Sequence, residues 1–295
     1  MSDDCILLIG HGSREGAANV EFEALATAYR AARPRLRVET AYIELARPLV
    51  GEALASLAKE AKRIFVVPVF LFAAGHVKTD LPIAIAEARR AFPHVRIAAA
   101  PALGVHPSMI ELAAARAAAL IGDDAATRAK TLLLVVGRGS SDPDANGDFC
   151  KVSRMIGEGR GLMHVESTFV GITQPLVETS LEWIARMRPE RVVVLPYFLF
   201  AGVLIARIER KIAEFAAAHP SIAPHLAPHL GIDERLLSLL DERTLGALRG
   251  DATLPCDTCH YRVGLAGHAD LHAIANQGSG PAKAPHQLLE VAPAG

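Results

Sequence analysis

The sequence predicts an α/β protein of two tandem domains, each a parallel sheet with helices on both faces. Two observations carry this. Short, wholly apolar runs such as Ile64–Phe70 alternate with longer, Ala-rich stretches of helical spacing, the pattern of strands feeding crossover helices. The pattern also occurs twice. Ile6–Ser13 matches Leu133–Ser140, Val38–Leu49 matches Val165–Leu176, Arg63–Ala73 matches Arg191–Ala201, and Leu103–Val105 matches Leu230–Ile232, at an offset of 127 or 128 residues. An offset that long exceeds solenoid repeats and marks two domain copies, 1–122 and 130–250.

The elements of the first copy follow in order. Ile6–Ile9 is a short apolar strand ending at Gly10. Glu15–Arg30 has apolar residues at helical spacing. Leu36–Ile43 is a second strand. Pro48–Lys62 is a helix, with proline near the first turn, where no amide donor is needed. Ile64–Phe70 is the third strand. Asp80 is expected to cap a helix running to Ala91, with Pro82 in its first turn. Val95–Ala100 is the fourth strand and Pro107–Ile121 the closing helix. Gly122–Lys130 is a polar linker. After Gly250 the periodicity stops, and residues 251–295 form a tail rich in Gly, Pro and His.

Composition narrows the function. The chain has 295 residues, 51% of them hydrophobic, and a formal net charge of −1. No global field favours nucleic acid or an anionic membrane, so an anionic ligand needs a local cluster of cations. The start, Met1-Ser2-Asp3-Asp4-Cys5, has no basic leader, and no apolar run is long enough to span a bilayer. Cys5, Cys150, Cys256 and Cys259 are too few and too scattered for a disulfide framework. A cytoplasmic protein with reduced thiols is expected. Association of two chains is left open.

In open parallel sheets, ligands bind beyond the carboxyl ends of the strands. His11 follows the first strand, Glu44 the second, His106 the fourth, and His76 lies in the Phe70–Lys78 loop after the third. Imidazoles with a carboxylate suit a borderline divalent ion such as cobalt, iron or zinc, and can also take protons near neutral pH. Singly, each has a plain structural reading: a loop histidine, a helix-start carboxylate, a surface histidine. The second copy separates the alternatives. There His11 becomes Arg138, Glu44 becomes Gly171 and His76 becomes Leu204, while the apolar strands remain. Joint loss over a retained core points to function. His106 matches Asp233, and both are expected to cap the helix that follows. The glycines flanking His11 are read as room for close approach of a ligand. Arg14, Arg47 and Lys78, with Ser13 in the same loop as Arg14, are expected to hold substrate carboxylates. Neither Gly10-His11-Gly12 nor Gly137-Arg138-Gly139 completes a dinucleotide fingerprint or a Walker motif, so no nucleotide is expected. A histidine phosphatase would place Arg where Gly10 stands.

Ile9–Arg14 (IGHGSR), Tyr42–Pro48 (YIELARP) and Pro68–Asp80 (PVFLFAAGHVKTD) together resemble the sirohydrochlorin chelatases, class II chelatases that need no nucleotide. The resemblance spans about residues 1–250 and fits the long, two-domain, cobalt-type form. It implies two flavodoxin-like domains, an active site on the N-terminal copy, metal-binding histidines at His11 and His76, and a carboxylate at Glu44. The implied substrate is sirohydrochlorin, an anionic tetrapyrrole, and the implied reaction is insertion of Co²⁺, as in cobalamin biosynthesis. The alternatives are Fe²⁺ insertion for siroheme and a non-catalytic metal or tetrapyrrole carrier. Arg138, at the lost histidine position, is expected to anchor a carboxylate. In the tail, Cys256-Asp-Thr-Cys259-His260 resembles a C-terminal Cys-x-x-Cys segment of long cobalt-type members, some of which hold an iron–sulfur cluster. Cys256, Cys259 and His260 supply only part of a second metal site.

Overall fold

The computed structural model describes residues 3–250. Its strands are β1 (Asp4–Gly10), β2 (Arg37–Tyr42), β3 (Arg63–Pro68), β4 (Arg96–Ala99), β5 (Thr131–Gly137), β6 (His164–Phe169), β7 (Arg191–Pro196) and β8 (Ala223–Leu226). Its α-helices are α1 (Gly16–Ala32), α2 (Val50–Leu57), α3 (Leu81–Ala91), α4 (Pro107–Ile121), α5 (Ala125–Ala129), α6 (Pro143–Gly157), α7 (Val177–Met187), α8 (Val203–Ala218) and α9 (Glu234–Arg249). The strands form two four-stranded sheets, ordered β2-β1-β3-β4 and β6-β5-β7-β8, and every pairing is parallel. No helix among the described residues is long and apolar enough to cross a membrane.

The apolar runs explain the layering. Every residue of β1 and of β5 is buried, as a central parallel strand covered on both faces requires. Cys5, Leu7 and Ile9 join one core cluster with Val50, Leu54, Leu57, Leu81 and Ile85 from α2 and α3. Ile6 and Leu8 alternate to the opposite face, where α1 packs on β1 and β2. Burial pushes the Cys5 thiol up to about 12, which makes it a small hydrophobe rather than a reactive thiol.

Three local expectations need correction. Pro48 does not lie in the first turn of α2. It follows a cis peptide bond and precedes that helix, which ends at Leu57 rather than Lys62. Residues 122–130 include the short helix α5. Asp80 does not cap α3. Its backbone is already helical, and it closes a π-helical turn, His76–Asp80, that runs into α3 with Pro82 in the first turn. His106 does cap α4: its ring accepts the Ser108 amide at 3.2 Å.

The repeats of the sequence and the compact units of the structure differ by one helix. One unit consists of residues 3–104 with 237–250, the other of residues 105–236. The chain turns out of each sheet at Gly104 (φ 69°) and Gly231 (φ 63°), where only glycine is unstrained. The closing helix of the first copy, α4, packs on α6 and β7. The closing helix of the second copy, α9, packs on the first unit. There Thr244 meets the Tyr29 hydroxyl at 3.1 Å, Asp241 accepts both the Nε and Nη2 hydrogens of Arg33, and Arg243 donates to the carbonyls of Ala102 and Leu103.

Candidate metal centre

Three chain segments meet at the carboxyl end of the first sheet. His11 leaves β1 one residue past its end, and Glu44 leaves β2 two residues past its end. The parallel pairing continues beyond the strands: Ile43 N donates to Gly10 O at 3.0 Å and Glu44 N to His11 O at 3.1 Å. This locks the two side chains in register. His76 arrives from the loop after β3, on the first residue of the π-helical turn.

The ligand atoms converge. His11 Nδ1 lies 3.7 Å and His76 Nε2 3.8 Å from Glu44 Oε1. The two imidazoles meet edge to face with centroids 4.8 Å apart. One ligand atom from each of the three residues lies within 4.8 Å of the others, the only such His/Cys/Asp/Glu grouping among the described residues. Metal bonds of ~2.0–2.2 Å in a tetrahedron put ligand atoms about 3.4 Å apart, so small rotations would close the three around one ion. All three side chains are half-exposed, at 28%, 43% and 38% for His11, Glu44 and His76. Three such side chains, left open on one side, would make a site that can also release an ion.

Asp80 is a functional candidate that sequence reading missed. Its Oδ2 lies 2.6 Å from His76 Nδ1. A carboxylate on that nitrogen fixes the ring and its tautomer, leaving Nε2 facing Glu44 and available to a metal. The signal was present as His76 and Asp80 at i, i+4 on a helical turn. Asp80→Ala should weaken Co²⁺ binding about 10- to 100-fold while Asp80→Asn, which can still accept from the ring, loses less; titration calorimetry of the apoprotein measures both.

The glycines around His11 serve the protein rather than a ligand. A Cβ on Gly10 would sit 3.0 Å from the Phe22 ring, and one on Gly12 only 1.7 Å from the Glu44 carbonyl oxygen. Gly12 also has φ 89°. Both positions therefore let the Glu44 turn and the helix layer close on the loop, correcting the expectation of open space. The second copy keeps this packing, with Gly137 against Phe149 and Gly139 against the Gly171 carbonyl.

The other candidates stand apart from this group or in the other unit. The Ser13 hydroxyl accepts the Glu15 amide at 3.1 Å and the Ser13 backbone is held by Asn19. Ser140 and Asn146 repeat this in the second copy, so the arrangement closes the loop independently of the histidines. Arg14 is exposed. Arg47 pairs with Glu52 on the first turn of α2. Lys78 is half-buried on the π-helical turn, and Arg138 is exposed at the carboxyl end of β5. Cys256, Cys259 and His260 lie outside the described residues.

Comparison with known proteins identifies the family. The family model CbiX matches twice, over residues 5–120 and 132–247. A sirohydrochlorin cobaltochelatase of Priestia megaterium is 37% identical over 269 residues, 90% of this chain and 87% of the relative. A sirohydrochlorin ferrochelatase of the same organism is 28% identical over 257 residues, 84% of this chain and 92% of the relative. Among solved structures, SirB from Bacillus subtilis with Fe³⁺ superposes with a TM-score of 0.74 at 25% identity, covering 85% of this chain and 98% of that one. A double match to one family model along most of the sequence, over two copies of one parallel-sheet fold, places this chain in the CbiX family.

Proposed function

We propose that this protein inserts Co²⁺ into sirohydrochlorin, releasing two protons, as a step of cobalamin biosynthesis in the cytoplasm. The observation that carries the reading is the convergence of His11, Glu44 and His76 on one rim, in the copy that retains them, while Arg138, Gly171 and Leu204 stand at the matching positions of the other. The relative that shares 37% identity is named a cobaltochelatase, and the ferrochelatase relative reaches 28%, which favours cobalt over iron.

The chemistry follows from the site. His11 and His76, as neutral imidazoles, receive the ion, and Asp80 keeps the His76 ring turned for it. Protons compete for the same nitrogens, so metal loading weakens in acid. The open side of the site faces the macrocycle, and holding ion and ring together removes the entropic cost of their encounter. Glu44, whose Oε1 lies 3.7 and 3.8 Å from a nitrogen of each imidazole, or one of those imidazoles accepts pyrrole protons as metal–nitrogen bonds form. Arg14, Arg47 and Lys78, with Ser13, supply cations and a hydroxyl for the substrate's carboxylates.

An anaerobic assay following sirohydrochlorin absorbance with Co²⁺, Fe²⁺ or Ni²⁺ tests the proposal. The expected result is many turnovers per chain with Co²⁺, faster than with Fe²⁺. A faster rate with Fe²⁺ would reassign the protein to siroheme synthesis. Metallated ring that never exceeds the amount of protein would make it a carrier.

A further inference from the structure

We infer that Leu45 is a positioning residue for the tetrapyrrole: an apolar side chain at the apex of a strained turn beside the metal centre, against which one face of the flat macrocycle packs. The inference rests on sirohydrochlorin being the substrate.

The turn is unusual for its sequence. Ala46 N donates to Glu44 O at 2.7 Å, and Leu45 between them has φ 61°. An i to i+2 hydrogen bond around a positive-φ residue is a γ-turn of the rare, strained kind. Glycine holds that conformation without strain, and Asn or Asp can offset part of the cost with a local hydrogen bond. Leucine can do neither, and here its side chain is 47% exposed. It therefore combines backbone strain with apolar surface left in water, and neither helps the chain fold.

The second copy repeats the arrangement without the metal ligands. Thr173 N donates to Gly171 O at 2.8 Å around Ile172, whose φ is 71°. Ile172 is 65% exposed and β-branched, which makes positive φ a stronger outlier still. Packing of Gly12 and Gly139 against carbonyls 44 and 171 explains why a turn exists in each copy. The turn and its aliphatic apex thus belong to the fold of both copies; what is particular to the first copy is that the exposed apex adjoins Glu44, a member of the convergent group. Strained, over-determined backbone is concentrated where ligands are clamped. Leu45 directly follows Glu44, one of the three residues that would share the ion. A macrocycle centred over that ion extends well past the ligand atoms in its own plane, so its broad apolar face reaches the residues next to the ligands. An aliphatic apex suits that face; the carboxylates at the ring's edge need cations instead.

The test uses the full chain and separates ring binding from ion binding. Metal-free sirohydrochlorin is titrated by absorbance and fluorescence, and Co²⁺ by calorimetry, for wild type, Leu45→Asn and Leu45→Met. Asparagine preserves the left-handed backbone and removes the aliphatic surface. Leu45→Asn should raise Kd and KM for sirohydrochlorin about tenfold, with kcat and Co²⁺ affinity within about twofold and a Tm equal to or above wild type. Leu45→Met, which restores apolar bulk, should bind the ring within about threefold of wild type. Wild-type ring affinity in Leu45→Asn overturns the inference. A parallel loss of Co²⁺ affinity also overturns it, because the residue would then act by holding Glu44. If wild type itself neither binds nor metallates sirohydrochlorin, the functional reading falls first and this inference with it.

Discussion

His11→Ala and His76→Ala should each reduce Co²⁺ affinity and the rate of sirohydrochlorin metallation by at least about 100-fold. Loss of a group that merely orients a metal-bound histidine costs 10- to 100-fold, and loss of the ligand itself costs more. The geometry leaves no substitute, since His11, Glu44 and His76 form the only such grouping among the described residues. Stability should hardly move. Both rings are half-exposed beyond the ends of buried strands, where substitutions usually stay within about 0.5 kcal/mol. Tm therefore serves as the control that separates lost chemistry from lost fold. Arg138→Ala, at the matching position of the second copy, should keep wild-type Co²⁺ affinity. Metallation at the wild-type rate by either histidine variant would remove the site assignment.

The convergence of these three side chains was legible in the sequence because parallel sheets expose polar residues at their carboxyl ends, and because the second copy discards all three together while keeping its core. The fold was legible for a related reason. A central parallel strand must be apolar throughout, and Ile6–Ile9, Ile64–Phe70 and their matches could hardly be anything else. What stayed hidden depends on backbone geometry that composition does not encode. Asp80 before Leu81-Pro82 has the composition of a helix cap, yet the π-helical turn carries the backbone through it and frees its carboxylate for His76. Gly10 and Gly12 read as space for a ligand, while their missing Cβ atoms accommodate Phe22 and the Glu44 carbonyl. The γ-turn at Leu45 gives no signal, since leucine is not a residue that marks positive φ. The exchange of α4 and α9 is invisible for another reason. The two copies share one hydrophobic pattern, so the apolar face of either closing helix suits either sheet.

That exchange has a large and testable consequence. A chain ending at residue 236 keeps all of β1 to β4 and all three metal ligands, yet should lose the folded first unit. It would lose Leu237, Leu239, Leu240, Ala247 and Leu248, all buried. Four buried leucines at about 1.5–3 kcal/mol each amount to about 6–12 kcal/mol, the size of a whole domain's net stability. The truncation would also leave the buried Tyr29 hydroxyl without Thr244 and remove Asp241 from its partly buried ion pair with Arg33. Calorimetric melting should show the first unit's transition missing, and Co²⁺ binding should vanish with it, although no ligand has been touched. A chain ending at residue 250, which retains α9, should keep the first unit's transition and its Co²⁺ binding. In the intact chain, Leu240→Ala should lower stability by about 2–5 kcal/mol and expose the coupling in milder form, with the metal site recovering full affinity below the shifted transition. If the chain ending at 236 bound Co²⁺ like wild type, α9 would not belong to the unit that carries the site, and the copy defined by residues 1–122 would be the true folding unit.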